Sequence, residues 1–115
     1  MSFPLSPDHL AILYDAFRQL PPFTEWKKLP EADAVEFSTP LRLDCQGEYS
    51  NPPHKITISS AKVGNWQTVT LILLHEMAHL SCAVDGTFKA NNHGPAFKKK
   101  ARRISRLWGF DEKDF

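Results

Sequence analysis

Cysteine is nearly absent from this sequence: Cys45 and Cys82 are the only two, and they do not form a Cys-x-x-Cys pair. Two thiols are too few for the disulfide framework that holds small secreted domains together. Both are read as reduced and buried, and the fold must stand on an apolar core. Long apolar runs are missing as well. The segment Leu71 to Leu74 is closed off by Thr70 and His75, far short of the roughly 20 residues a membrane-spanning helix requires. The first residues, Met1-Ser2-Phe3-Pro4-Leu5, lack a basic start, a continuous apolar stretch and a small-residue cleavage site. No secretory signal is expected, and the cytoplasm is the expected compartment.

Net charge is also low, +1 over 115 residues, but it is unevenly spread. Residues 1–60 carry 5 basic and 8 acidic side chains and residues 61–115 carry 9 and 5, so an anionic partner would meet the second half. Apolar residues at 42% and charged residues at 23% describe a globular chain rather than a disordered or fibrous one. A chain of this length makes one domain, residues 1–115, whose core buries roughly two-thirds of the surface exposed when unfolded.

Ser6-Pro7-Asp8 supplies a cap and a first-turn proline, and Leu10, Leu13, Tyr14 and Phe17 follow at helical spacing until Pro21-Pro22 stops the helix near Leu20. Residues 23–30 have no clear period and read as loop with room for one helical turn. Val35 and Phe37, then Leu41, Leu43 and Cys45, alternate with polar residues as half-buried strands do, and Lys55–Ser59 reads as a further strand. Gly47, Asn51, Pro52 and Pro53 mark turns. From Trp66 to Val84 a long apolar segment without proline or glycine predicts the central helix, with Asn65 as N-cap and Asp85-Gly86 as its stop. A loop to Asn92 precedes a last helix from Pro95 to about Trp108. The fold class is α+β: a small, mostly antiparallel sheet packed on the central helix, with N- and C-terminal helices flanking it.

The central helix carries His75-Glu76-Met77-Ala78-His79. An interval of four places both imidazoles on one face, about 5–6 Å apart at Cβ, so that two nitrogens reach one ion at roughly 2.0–2.1 Å, as tetrahedral zinc requires. Glu76 is displaced around the helix from that face and serves as general base toward a water whose pKa zinc lowers to about 7. An amphipathic helix with two incidental surface histidines has the same spacing, but a long apolar helix following a strand favours the metal. The third ligand is narrowed by elimination. Glu112 is the sole glutamate downstream and lies in the tail. Asp85 is six residues past His79 and points about 240° around the helix from it, so it reads as a cap. Cys82 shares the His79 face but reads first as a small buried hydrophobe. His93, just before Gly94-Pro95, is the favoured ligand, and three nitrogens leave one position open for water. His9 and His54 have no partner spacing and are expected at the surface.

Leu73-Leu74-His75-Glu76-Met77-Ala78-His79 followed by His93-Gly94-Pro95-Ala96-Phe97, with Cys45-Gln46-Gly47 and Ile56-Thr57-Ile58-Ser59 upstream, resembles the SprT-like metallopeptidase family, which includes Spartan and related DNA-dependent proteases. The resemblance runs in order through about the whole chain. It implies a minimal zincin fold, one zinc ion on His75, His79 and His93, Glu76 as base, and protein substrates often attached to DNA. The C-terminal Cys-x-x-Cys zinc ribbon of many members is absent from this sequence.

In the last helix Phe97, Ala101, Ile104 and Trp108 form an apolar stripe, leaving Lys98, Lys99, Arg102, Arg103 and Arg106 largely opposite and Lys100 at the margin. Such a face suits either simple solvation or salt-sensitive contact with DNA phosphates. Trp26 and Trp66 are expected in the core. Three functions compete: a zinc peptidase acting on proteins, a non-catalytic zinc-stabilised nucleic-acid-binding or adaptor module, and a hydrolase of small amides or peptides. Glu76 favours the first, because a purely structural site has no use for a base beside the metal.

Overall fold

The computed structural model describes residues 5–87 and 93–115; the reading of the first four residues, and most of the loop expected to run to Asn92, lie outside them. Helix α1 spans Pro7–Phe17, and its first free amide is met by the Ser6 hydroxyl, which accepts from the His9 N–H at 3.3 Å. Leu10 and Tyr14 are its buried residues, and the Tyr14 hydroxyl donates to the Pro30 carbonyl at 2.6 Å. That bond pins the following irregular segment, which holds the expected short helical turn at Phe23–Glu25.

The strands are β1 (Glu36–Ser38), β2 (Gly47–Ser50) and β3 (Lys55–Ile58), in the order β1-β3-β2. β2 and β3 form an antiparallel hairpin with Tyr49 opposite Ile56, whereas β1 runs parallel to β3 with Phe37 opposite Ile56. The sheet is therefore mixed rather than mostly antiparallel, because the segment between β1 and β2 is long enough to carry the chain across to the far edge of β3.

The alternation Leu41-Leu43-Cys45 is not a strand. Leu41 and Leu43 are 81% and 77% exposed, and the local backbone bonds to the end of β3 instead of to a ladder. Ser60 N–H donates to the Pro40 carbonyl at 3.0 Å, and the Ser59 hydroxyl accepts from the Arg42 N–H at 3.0 Å while donating to the Arg42 carbonyl. A serine side chain that bonds both ends of one peptide residue replaces a strand partner. Cys45 is half-buried, not buried, and Cys82 is buried as expected.

Helix α2, Trp66–Val84, begins at Asn65, whose side chain accepts from the Thr68 N–H at 2.9 Å, a cap contributing about 1 kcal/mol. Val69, Leu73, Met77 and Leu80 are completely buried and meet Ile56 and Ile58 of β3 in the main core. Trp66, in contrast to the expectation, is 44% exposed, while Trp26 packs at the edge of the core. Helix α3, Pro95–Trp108, buries Phe97 and Ile104 and stops at Gly109, whose φ of 80° is left-handed and favours glycine.

Lys100 leaves the basic face altogether. It is buried, and its ammonium donates to the Ser81 hydroxyl and the Asp85 carboxylate, each at 2.6 Å, with the Trp26 ring centroid 5.0 Å away. These contacts fasten α3 to the C-terminal end of α2. Arg103 also has a partner, Glu25, at 2.7 and 3.0 Å. Lys98, Lys99, Arg102 and Arg106 remain exposed.

Candidate metal centre

His75 and His79 stand one turn apart on α2, and His93 enters from the segment just before α3. Their ligating atoms lie within 4.8 Å of one another, and Nε2 of His79 is 3.2 Å from Nε2 of His93. Two nitrogens at about 2.05 Å from one tetrahedral ion are separated by about 3.3 Å, so this pair is already spaced as an edge of that tetrahedron. The His75 ring centroid is 5.1 Å from each of the other two. Among the described residues this is the cluster of three metal-ligating side chains. His93, the expected third ligand, is therefore brought to His75 and His79. Cys82 is buried as a core residue, and Asp85 closes α2 and pairs with Lys100.

The electrostatics suit an ion. Burial, with the neighbouring His93 adding to it, pushes His75 down to about 4; burial, with His75 and His93, pushes His79 down to about 4. Both imidazoles are thus neutral at pH 7, with lone pairs available, which is the state a metal needs. The main chain of Phe115 acts weakly in the opposite direction on His75.

Glu76 is 5% exposed and sits between α2 and β2. Burial, reinforced by the charge of Glu48, pushes its pKa up to about 8, so alone it prefers to hold a proton; a cation beside it draws it back toward the carboxylate. It lines two adjoining cavities of roughly 300 and 340 Å³, the first with Gln46, Gly47 and Phe115 and the second with Tyr49 and all three histidines. The cleft thus has α2 as one wall and β2 as the other.

Gly47, expected in a turn, instead opens β2 against this cleft. A Cβ there would lie 2.6 Å from Ile72 Cγ2, 3.0 Å from Glu76 Oε2 and 3.2 Å from the Thr57 carbonyl oxygen. Gly47→Ala should therefore lose about 1–3 kcal/mol, the cost of overpacking, measured by chemical denaturation of the metal-free protein; an unchanged midpoint would mean that β2 moves away without resistance.

Sequence reasoning also missed Phe97 as a neighbour of the histidines and Phe115 as part of the wall. The helical period assigned Phe97 to the core stripe, where it does lie, but carried nothing about what it touches; for Phe115 no signal was present. His54 is half-buried with its Nδ1 2.5 Å from the Tyr49 hydroxyl, a partner reached through the β2–β3 hairpin and invisible to spacing.

The family model described as SprT-like matches residues 13–113. No curated protein matches the chain.

Proposed function

This chain belongs to the SprT-like family, and from that premise we propose that it is a zinc-dependent metalloendopeptidase acting on proteins, some of them bound to DNA. The observation that carries the reading is the convergence of three imidazoles beside a buried carboxylate in an open cleft. His75, His79 and His93 would hold one zinc ion, leaving a fourth position free. Bound there, zinc supplies Lewis acidity toward the scissile carbonyl and lowers the pKa of the attacking water.

The chain's own groups do the remaining work. Glu76 accepts a proton from the attacking water and returns it to the leaving nitrogen, so that its side chain ends the cycle as it began. β2 is an edge strand of the sheet, and an edge strand presents main-chain groups to which an extended peptide can add. Gly47, Glu48 and Tyr49 of that strand line the same cavity as the ligands, which supports an extended polypeptide as substrate over a small amide.

DNA contact is assigned to Lys98, Lys99, Arg102 and Arg106. Lys98 and Arg102 line a cavity that also touches His93 and Phe115, so a phosphate backbone bound along this face would pass close to the cleft. Arg103 belongs to this face but is partly occupied by Glu25. No helix among the described residues is long and apolar enough to cross a membrane. The unbridged thiols of Cys45 and Cys82 support a reducing, cytoplasmic setting.

The test is cleavage of a loosely folded basic protein by the zinc-loaded chain, with and without single-stranded DNA. Cleavage dependent on zinc is expected, with DNA increasing it in a salt-sensitive manner. Substituting Lys98 and Arg102 together by glutamine should flatten the dependence of log DNA affinity on log salt by about 1.4, since each phosphate of a single strand that is no longer neutralised takes about 0.7 from the slope. Zinc binding without cleavage of any protein substrate would instead favour the non-catalytic module.

A further inference from the structure

Phe97 is 5% exposed and occupies the first turn of α3, two residues after Pro95. Its ring touches every member of the metal triad. His79 lies nearly flat on it, with centroids 4.2 Å apart and planes at 21°; His93 does the same at 4.7 Å and 26°; His75 meets it edgewise at 5.0 Å and 61°. His79 and His93 are in turn stacked on each other, 5.0 Å apart at 24°.

We infer that Phe97 is a positioning residue for the metal centre, a flat apolar bed that holds the three imidazoles in ligating orientation before an ion arrives; this rests on the metal reading above. An imidazole ligates only when one particular ring nitrogen faces the ion, so a ring free to turn about its side-chain torsions must be ordered on binding, and that ordering weakens affinity. A hydrogen bond orders a ring through the nitrogen that does not ligate, and an aromatic face orders it by stacking.

His93 gains most from the arrangement. It is exposed and precedes α3, so no helix restricts its torsions as α2 restricts those of His75 and His79. Its position four residues before Phe97 lets the same turn that introduces the ligand introduce its support. Phe115 adds a further ring 5.5 Å from His75.

Leucine fills most of the volume of a phenyl ring but has no flat face, and this separates positioning from mere core filling. Zinc affinity would be measured by competition with a chromophoric chelator for the wild type, Phe97→Leu, Phe97→Tyr and Ile104→Val, alongside thermal melts of each metal-free protein. Phe97→Leu should bind zinc about 10- to 100-fold more weakly, the usual effect of removing a neighbour that orients a ligand, and Phe97→Tyr, which keeps the ring, should stay close to wild type. Ile104→Val alters the buried face of the same helix away from the triad; it should lower the melt and leave zinc affinity alone. Should Phe97→Leu fail to fold, Phe97→Met takes its place. Wild-type affinity in the ring-less variant overturns the inference, as does equal weakening by Ile104→Val, which would mark a general loosening. A wild type that binds no zinc overturns the metal reading itself, and this inference with it, a result plainly different from the other two.

Discussion

Glu76→Gln should lower the rate of protein cleavage by about 10²–10⁴-fold, the contribution of a positioned general base, while zinc is retained at wild-type stoichiometry. Glutamine matches glutamate in shape, so the packing of this side chain beside Gly47 and Ile72 survives, and the neighbouring imidazoles of His75 and His79 are unaltered. What disappears is the capacity to take up a proton. In the wild type that capacity is tuned by burial, which pushes the carboxyl up to about 8, and by the dication that would sit beside it. The amide has no such state, whatever the pH. The measurement is paired: initial cleavage rate and metal content on the same preparation. Undiminished cleavage by a zinc-loaded variant would remove Glu76 from the mechanism, and absence of zinc from the variant would reassign it to the metal's support.

His93→Ala should separate the metal site from the fold. His93 is exposed but stacks on Phe97 and His79, contacts that cost about 0.5–1.5 kcal/mol to remove, so the metal-free variant should melt somewhat below the metal-free wild type. The holo forms should differ widely. An ion present at about 100 times its dissociation constant stabilises the folded state by about 2.7 kcal/mol, and in a domain of this size each kcal/mol moves the midpoint by about 4 °C. The wild type should therefore gain on the order of 10 °C on zinc addition, and the variant most of that less. Thermal scans of both proteins with zinc and with chelator decide the matter; an equal zinc-induced shift in the variant would show that the third ligand lies elsewhere.

The helical part of this molecule was legible because local chemistry and tertiary packing agree there. Asn65 caps α2 in the sequence and in the fold, the apolar stripe from Val69 to Leu80 is the stripe that is buried, and Pro95 opens α3. The convergence of His75, His79 and His93 followed, since an interval of four on a helix is a distance, and a histidine two residues before the proline that starts the following helix needs little more than a turn to return.

The sheet was legible only in part. β3 announces itself through Ile56 and Ile58, which are buried, but β2 is Gly-Glu-Tyr-Ser with one buried side chain, too little alternation to read as a strand. Its glycine is present because Ile72 and Glu76 leave no room for more, a reason that exists only after folding. Leu41 and Leu43 imitate the pattern that β2 lacks. Lys100 shows the same limit among the charges: the helical period sets it at the margin of the basic face, but its burial depends on Asp85 and Ser81 of another helix, which the sequence does not place beside it.

The bond from Lys100 to Asp85 has a bearing on how the centre tolerates change. It joins the end of the helix carrying His75 and His79 to the helix that follows His93, a strut across the two helices beside the histidine cluster. Loosening that contact would act on both sides of the cluster at once.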